Sequence, residues 1–106
     1  MGLFDFLKQP DIGEGFSRFE KTPGAVLLDV RTRQEYAQSR LPGSRNIPLD
    51  EIGRDDGIGG GPDTPLFVYC HSGARSSQAV AVLRRMGYRN VTNIGGIVGY
   101  RGKVEC

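Results

Sequence analysis

Two short runs constrain the fold most: Ala25-Val26-Leu27-Leu28-Asp29-Val30 and Leu66-Phe67-Val68-Tyr69-Cys70. A strand with one wet face alternates apolar and polar residues, whereas a nearly continuous apolar run belongs in a strand covered on both faces. Helical patterns precede and follow each run. Asp11, with Glu14 three residues on, opens a helix whose Ile12, Phe16 and Phe19 share one face. Thr32 and Glu35 form a second capping box, for a short helix to about Ser39. Ser76 to Met86 places Ala79, Val80, Val82, Leu83 and Met86 on one helical stripe, and Gly87 closes it. Asn46 to Leu49 reads as a short extended piece, Asp50 to Ile52 as one helical turn, and Val91 to Ile94 as a strand ended by a Gly95-Gly96 bend. Strands alternating with helices predict an α/β domain with a mostly parallel central sheet flanked by helices.

The chain has 106 residues, enough for one core and hence a single domain. Residues 1–10 read as a lead-in, 11–100 as the domain and 101–106 as a polar, loosely held tail. The glycine-rich stretch from Gly53 to Pro65 lacks the Lys-Ser/Thr pair of a phosphate loop and reads as a flexible connection. A net charge of +2 is too small to imply nucleic-acid binding, although 11 of the 14 basic residues are arginine, which suits anions. No stretch has the apolar length of a membrane span. Met1 to Leu7 lacks a basic start and carries Asp5 within its apolar run, unlike a signal peptide, and Phe6 breaks the myristoylation pattern. Two cysteines far apart, Cys70 and Cys106, fit a reducing compartment, so a cytoplasmic location is expected. One histidine and two distant cysteines fall short of a metal site, and no cofactor is implied.

The chemistry concentrates in Cys70-His71-Ser72-Gly73-Ala74-Arg75-Ser76, where a buried strand ends, a small loop turns and a helix begins. A free thiol with a pKa of about 8.5 is mostly protonated at neutral pH. A helix N-terminus and nearby cations lower it, and here the helix start, Arg75 and His71 stand close by. Ser72, Gly73 and Ala74 are small enough for the loop amides to curl around the sulfur or an anion attached to it. A buried structural thiol is the bland alternative for Cys70. Arg75 has two open roles: orienting an anionic donor, or fixing the loop on a carboxylate, with Asp29 the obvious partner. Arg31 reads as more structural than ligating. His71 is a candidate base or a solvent-facing loop residue. Ser72 and Ser76 either donate to sulfur or serve the turn and cap. Cys106 either relays sulfur or is incidental.

These segments bear a resemblance. Leu28-Asp29-Val30-Arg31-Thr32 with Glu35-Tyr36, Leu41-Pro42-Gly43-Ser44 with Asn46-Ile47-Pro48, Val68 through Ser76, and Asn93-Ile94-Gly95-Gly96-Ile97 resemble, in order, the four motifs of rhodanese-like domains. The resemblance implies a sulfurtransferase in which Cys70 takes sulfur from thiosulfate or a persulfide and passes it to a thiol acceptor, protein thiols included. Arg40 and Tyr100 depart from the histidine and tryptophan common in that family. The loop is Cys-x4-Arg; phosphatases and arsenate reductases of similar fold carry a loop one residue longer, which encloses a tetrahedral oxyanion. A sulfur carrier or docking module with little turnover is the other alternative.

Overall fold

The computed structural model describes residues 10–54 and 58–106. The readings made on residues 1–9 and on Asp55 to Gly57 lie outside the described residues. Four parallel strands, β1 (Val26–Asp29), β2 (Arg45–Asn46), β3 (Leu66–Cys70) and β4 (Val91–Gly96), lie in the order β2-β1-β3-β4. Helices α1 (Ile12–Lys21), α2 (Arg33–Gln38) and α3 (Ala74–Arg85) connect or flank them, and a 3-10 turn follows at Ile97–Gly99.

The apolar runs are buried on both sides, and their alternate residues build two cores. Leu27, Phe67, Tyr69 and Ile94 pack with Ile12 and Phe16 of α1. Leu28, Val30, Leu66, Val68 and Cys70 pack with Ala79, Val80 and Leu83 of α3. The two-residue period of a strand therefore turns Cys70 toward the α3 face. Gly15 lets α1 approach closely, since a Cβ there would overlap Ile94.

The Asp11 carboxylate accepts from the Gly13 and Glu14 amides, and Thr32 and Glu35 form the expected capping box. The end of α3 is a Schellman motif: Gly87 (φ 109°) donates to Arg84 and Tyr88 to Leu83. Other expectations are corrected. Helix α3 starts at Ala74, not Ser76, because Gly73 takes a left-handed conformation (φ 104°) that turns the chain at once into the helix. Met86 is exposed, lying past the last turn that faces the sheet. Strand β4 runs on through Gly95 and Gly96; the left-handed Gly95 makes a bulge opposite Val68 and Tyr69 instead of a bend. Of the expected extended piece Asn46 to Leu49 only Asn46 pairs as a strand, together with Arg45 before it, and Pro48 to Arg54, including the expected helical turn at Asp50 to Ile52, forms successive turns. The glycine-rich connection is anchored: Ile58 is fully buried in the α3-side core, and Arg89 clamps Asp63. The tail returns to the body, with Glu105 exchanging both backbone hydrogen bonds with Arg40.

Candidate active site

Cys70 ends β3 and is 1% exposed. His71, Ser72 and Ala74, in the loop that follows it, are exposed. The Gly73 amide donates to Sγ at 2.9 Å. The Ser76 hydroxyl lies 3.4 Å from Sγ, 3.0 Å from the Gly73 carbonyl and 2.8 Å from Asn93 Oδ1. A hydroxyl carries one proton and donates to one of these at a time. Burial pushes the Cys70 thiol up; the Ser76 hydroxyl and the amides of Ser76, Gly73 and Ser72 more than offset this and hold it below its ordinary value. Hydrogen bonds to the charged form thus lower this thiol, and of the influences the sequence offered (helix start, cations and loop amides) it is the loop's own donors that act on it. Gly96 is the floor of the loop: a Cβ there would overlap the His71 carbonyl and come within 2.5 Å of Ser72 Cα. The His71 side chain is exposed, while its carbonyl accepts from the Val98 amide.

Arg75 is fixed by Glu35, not by Asp29. Its guanidinium donates in a fork to the two Glu35 oxygens at 2.7 and 3.0 Å. That fork pulls the Glu35 carboxyl down to about 2, against partial burial and with help from Thr32. Strand parity explains the correction. Asp29 shares a face with Leu27 and, across the ladder, Tyr69, whereas Arg75 starts the helix on the opposite face. Asp29 is fully buried and takes a fork from Arg31, itself 4% exposed: the Arg31 amide donates at 2.8 Å, Nε at 3.0 Å and Nη2 at 2.7 Å. Burial lowers the Arg31 guanidinium, and the Asp29 hydrogen bond and charge outweigh it to raise it overall. Arg31 also donates to the Ser39 carbonyl at 2.6 Å. This pair braces the strand end and does not line the thiol.

Asn93 and Glu35 are site residues that the sequence reading did not assign. Asn93 Oδ1 accepts from the Gly95 amide at 2.9 Å, and its Nδ2 faces the Gly73 carbonyl at 3.4 Å, so its amide is oriented from both ends. The usable signal was parity: Asn93 pairs with Val68, on the Cys70 side of the sheet. Cys106 is a free, exposed thiol on the tail. Among the described residues no three His, Cys, Asp or Glu side chains gather as a metal site, and no helix is long and apolar enough to cross a membrane.

Cys70 thus sits at the carboxyl end of a central parallel strand, wrapped by a short amide-lined loop that opens helix α3. The family model for the rhodanese-like domain matches residues 16–103. The chain belongs to the rhodanese-like family. Among similar proteins is a sulfurtransferase of Allochromatium vinosum, 39% identical over 85 residues that cover 78% of each chain. The thiosulfate sulfurtransferase PspE of Escherichia coli is 39% identical over 72 residues, covering 66% of this chain and 68% of that one. Among solved structures, a rhodanese with anions from E. coli superposes with a TM-score of 0.69 at 32% identity, covering 76% of this chain and 96% of the other. The two departures of this rhodanese-like domain are built into its packing. Arg40 stacks over Tyr36 at 4.8 Å and bridges to the tail, and Tyr100 meets Phe16 edge-on at 5.6 Å.

Proposed function

We propose that the protein is a cytoplasmic sulfurtransferase that moves sulfane sulfur from thiosulfate or a persulfide to a thiol through a Cys70 persulfide. The observation that carries this reading is the surroundings of Sγ: the Gly73 amide donates to it at 2.9 Å, and the Ser76 hydroxyl lies 3.4 Å away. They favour the thiolate, which is the nucleophile. With thiosulfate, Cys70 Sγ attacks the outer sulfur, a Cys–S–S⁻ bond forms, and the S–S bond to sulfite breaks with its electron pair leaving on sulfite. An acceptor thiolate then attacks the terminal sulfur, and the Sγ–S electron pair returns to Cys70. This is two-step covalent catalysis, with fixed dipoles in place before charge arrives. Between Cys70 and Arg75 the loop has four residues, a size that suits one added sulfur rather than a tetrahedral phosphate.

Steady-state thiocyanate formation from thiosulfate and cyanide tests the reading. Turnover by the wild type and none by Cys70→Ser, with both proteins equally folded, supports it. Hydrolysis of an aryl phosphate or reduction of arsenate without thiocyanate formation overturns it. A second reading draws on a putative sulfur carrier protein of Bacillus subtilis, YrkF, which is 34% identical and of which this chain spans 43%. As a carrier, the protein would hold a stable persulfide and discharge it negligibly to small thiols.

A further inference from the structure

A cleft of about 390 Å³ opens beside the cysteine loop, lined by Val30, Thr32, Pro48, Leu49, Asp50 and Arg75. It lies where the topology reverses. From β1 the chain goes first to β2 on one side and then to β3 on the other, and ligands of open parallel sheets collect at the carboxyl ends of the strands flanking that point. The cleft is tied to the nucleophile. The Val30 amide donates to the carbonyl of Tyr69, the residue before Cys70, at 3.1 Å, and the Leu49 amide donates to the Val30 carbonyl at 3.0 Å. Arg75 belongs to both cleft and loop.

Its chemistry is specific. Val30, Pro48 and Leu49 give it an apolar floor, and Thr32 adds a hydroxyl. The charge of Arg75 is already taken up by the two Glu35 oxygens, and Asp50 brings an exposed carboxylate to the rim. The local balance therefore disfavours an anion. The volume sits near the lower end of small-molecule sites, about 300–1,000 Å³.

We propose that this cleft is the acceptor site, which seats the carbon body of a small, uncharged or cationic aliphatic thiol. The proposal rests on the sulfurtransferase reading and names the acceptor class for it. In the step it serves, the acceptor loses its proton to solvent and its thiolate bonds the terminal persulfide sulfur. The Sγ–S bond breaks, and its electron pair returns to Cys70.

The test is single-turnover discharge of protein loaded by thiosulfate, with loading verified by intact mass. The acceptors are cysteamine, 2-mercaptoethanol, 3-mercaptopropionate and cyanide. Each rate is divided by that of the same nucleophile with a free small-molecule persulfide at the same pH, which removes intrinsic nucleophilicity. After that correction cysteamine and 2-mercaptoethanol exceed 3-mercaptopropionate by about tenfold in the wild type. Leu49→Glu slows 2-mercaptoethanol by about tenfold and leaves cyanide, which needs no carbon-binding cleft, unchanged. Asp50→Lys, an exposed substitution that spares the fold, reverses the preference between cysteamine and 3-mercaptopropionate. Equal corrected rates across the charge series, or a Leu49→Glu variant that slows cyanide and thiols alike, overturns the acceptor site while leaving the persulfide chemistry standing. Failure of the wild type to load overturns the sulfurtransferase reading first, and the acceptor site with it.

Discussion

The Ser76 hydroxyl faces the Cys70 sulfur and is held by Asn93 and the Gly73 carbonyl. Hydrogen bonds to the charged form favour it, so Ser76→Ala should raise the Cys70 pKa. The midpoint of iodoacetamide alkylation against pH measures this; an unmoved midpoint contradicts it. Because the folded thiol ionises below its unfolded value, it contributes stability that is fully present above the unfolded pKa of about 8.5 and is lost as pH falls through the folded value. At this scale the sequence showed Cys70 and its loop because the relevant residues are consecutive. It hid the partner of Arg75, because Glu35 lies 40 positions away and already had a local role in the Thr32 capping box. It offered Asp29 instead, a residue whose strand parity turns it to the other face.

Helix α2 is held to the cysteine loop by one carboxylate. Glu35 Oε1 accepts from the Thr32 amide and hydroxyl as well as from Arg75. Glu35→Gln weakens both, and a loss of about 1–2 kcal/mol is expected at neutral pH, the size of a lost cap plus a partly exposed ion pair. Glu35 titrates down to about 2 when folded, so its contribution is present above the unfolded value of 4.5 and disappears as pH falls through about 2. Urea melts at pH 7 and pH 2 therefore show a gap between wild type and variant that closes at the lower pH; a gap independent of pH contradicts the assignment. Strand β4 makes a sharper demand at Gly96, which touches the loop backbone. Gly96→Ala must displace His71 and Ser72, at a cost of about 1–3 kcal/mol. Thiocyanate turnover at a temperature where the variant is folded should fall at least tenfold, and wild-type turnover contradicts the contact. Element boundaries were less legible than element types. The early start of α3 and the continuation of β4 both depend on left-handed glycines, Gly73 and Gly95, whose conformation a neighbouring strand or loop decides.

Across the molecule, the parallel sheet places the Cys70 loop and its Glu35 brace on one side and the buried Asp29–Arg31 pair on the other. Asp29→Ala leaves a guanidinium buried without its carboxylate, and a loss of about 3–5 kcal/mol is expected from removing one partner of such a pair. Chemical denaturation measures it; a loss below about 1 kcal/mol contradicts a bracing role. The architecture was legible because two nearly continuous apolar runs admit few alternatives to buried parallel strands. The anchoring of Ile58 was not legible, since a single apolar residue among glycines carries no periodicity, and only the assembled core shows the place it fills. Nor was the return of the tail, which depends on one backbone pairing between Arg40 and Glu105.

The most direct measurement is the intact mass of purified protein before and after thiosulfate, with Cys70→Ala alongside. A gain of one sulfur, about 32 Da, that cyanide reverses and the variant lacks is the expected result for a persulfide intermediate. No gain, with Cys70 shown to be alkylatable in the same preparation, contradicts persulfide transfer from thiosulfate at this loop.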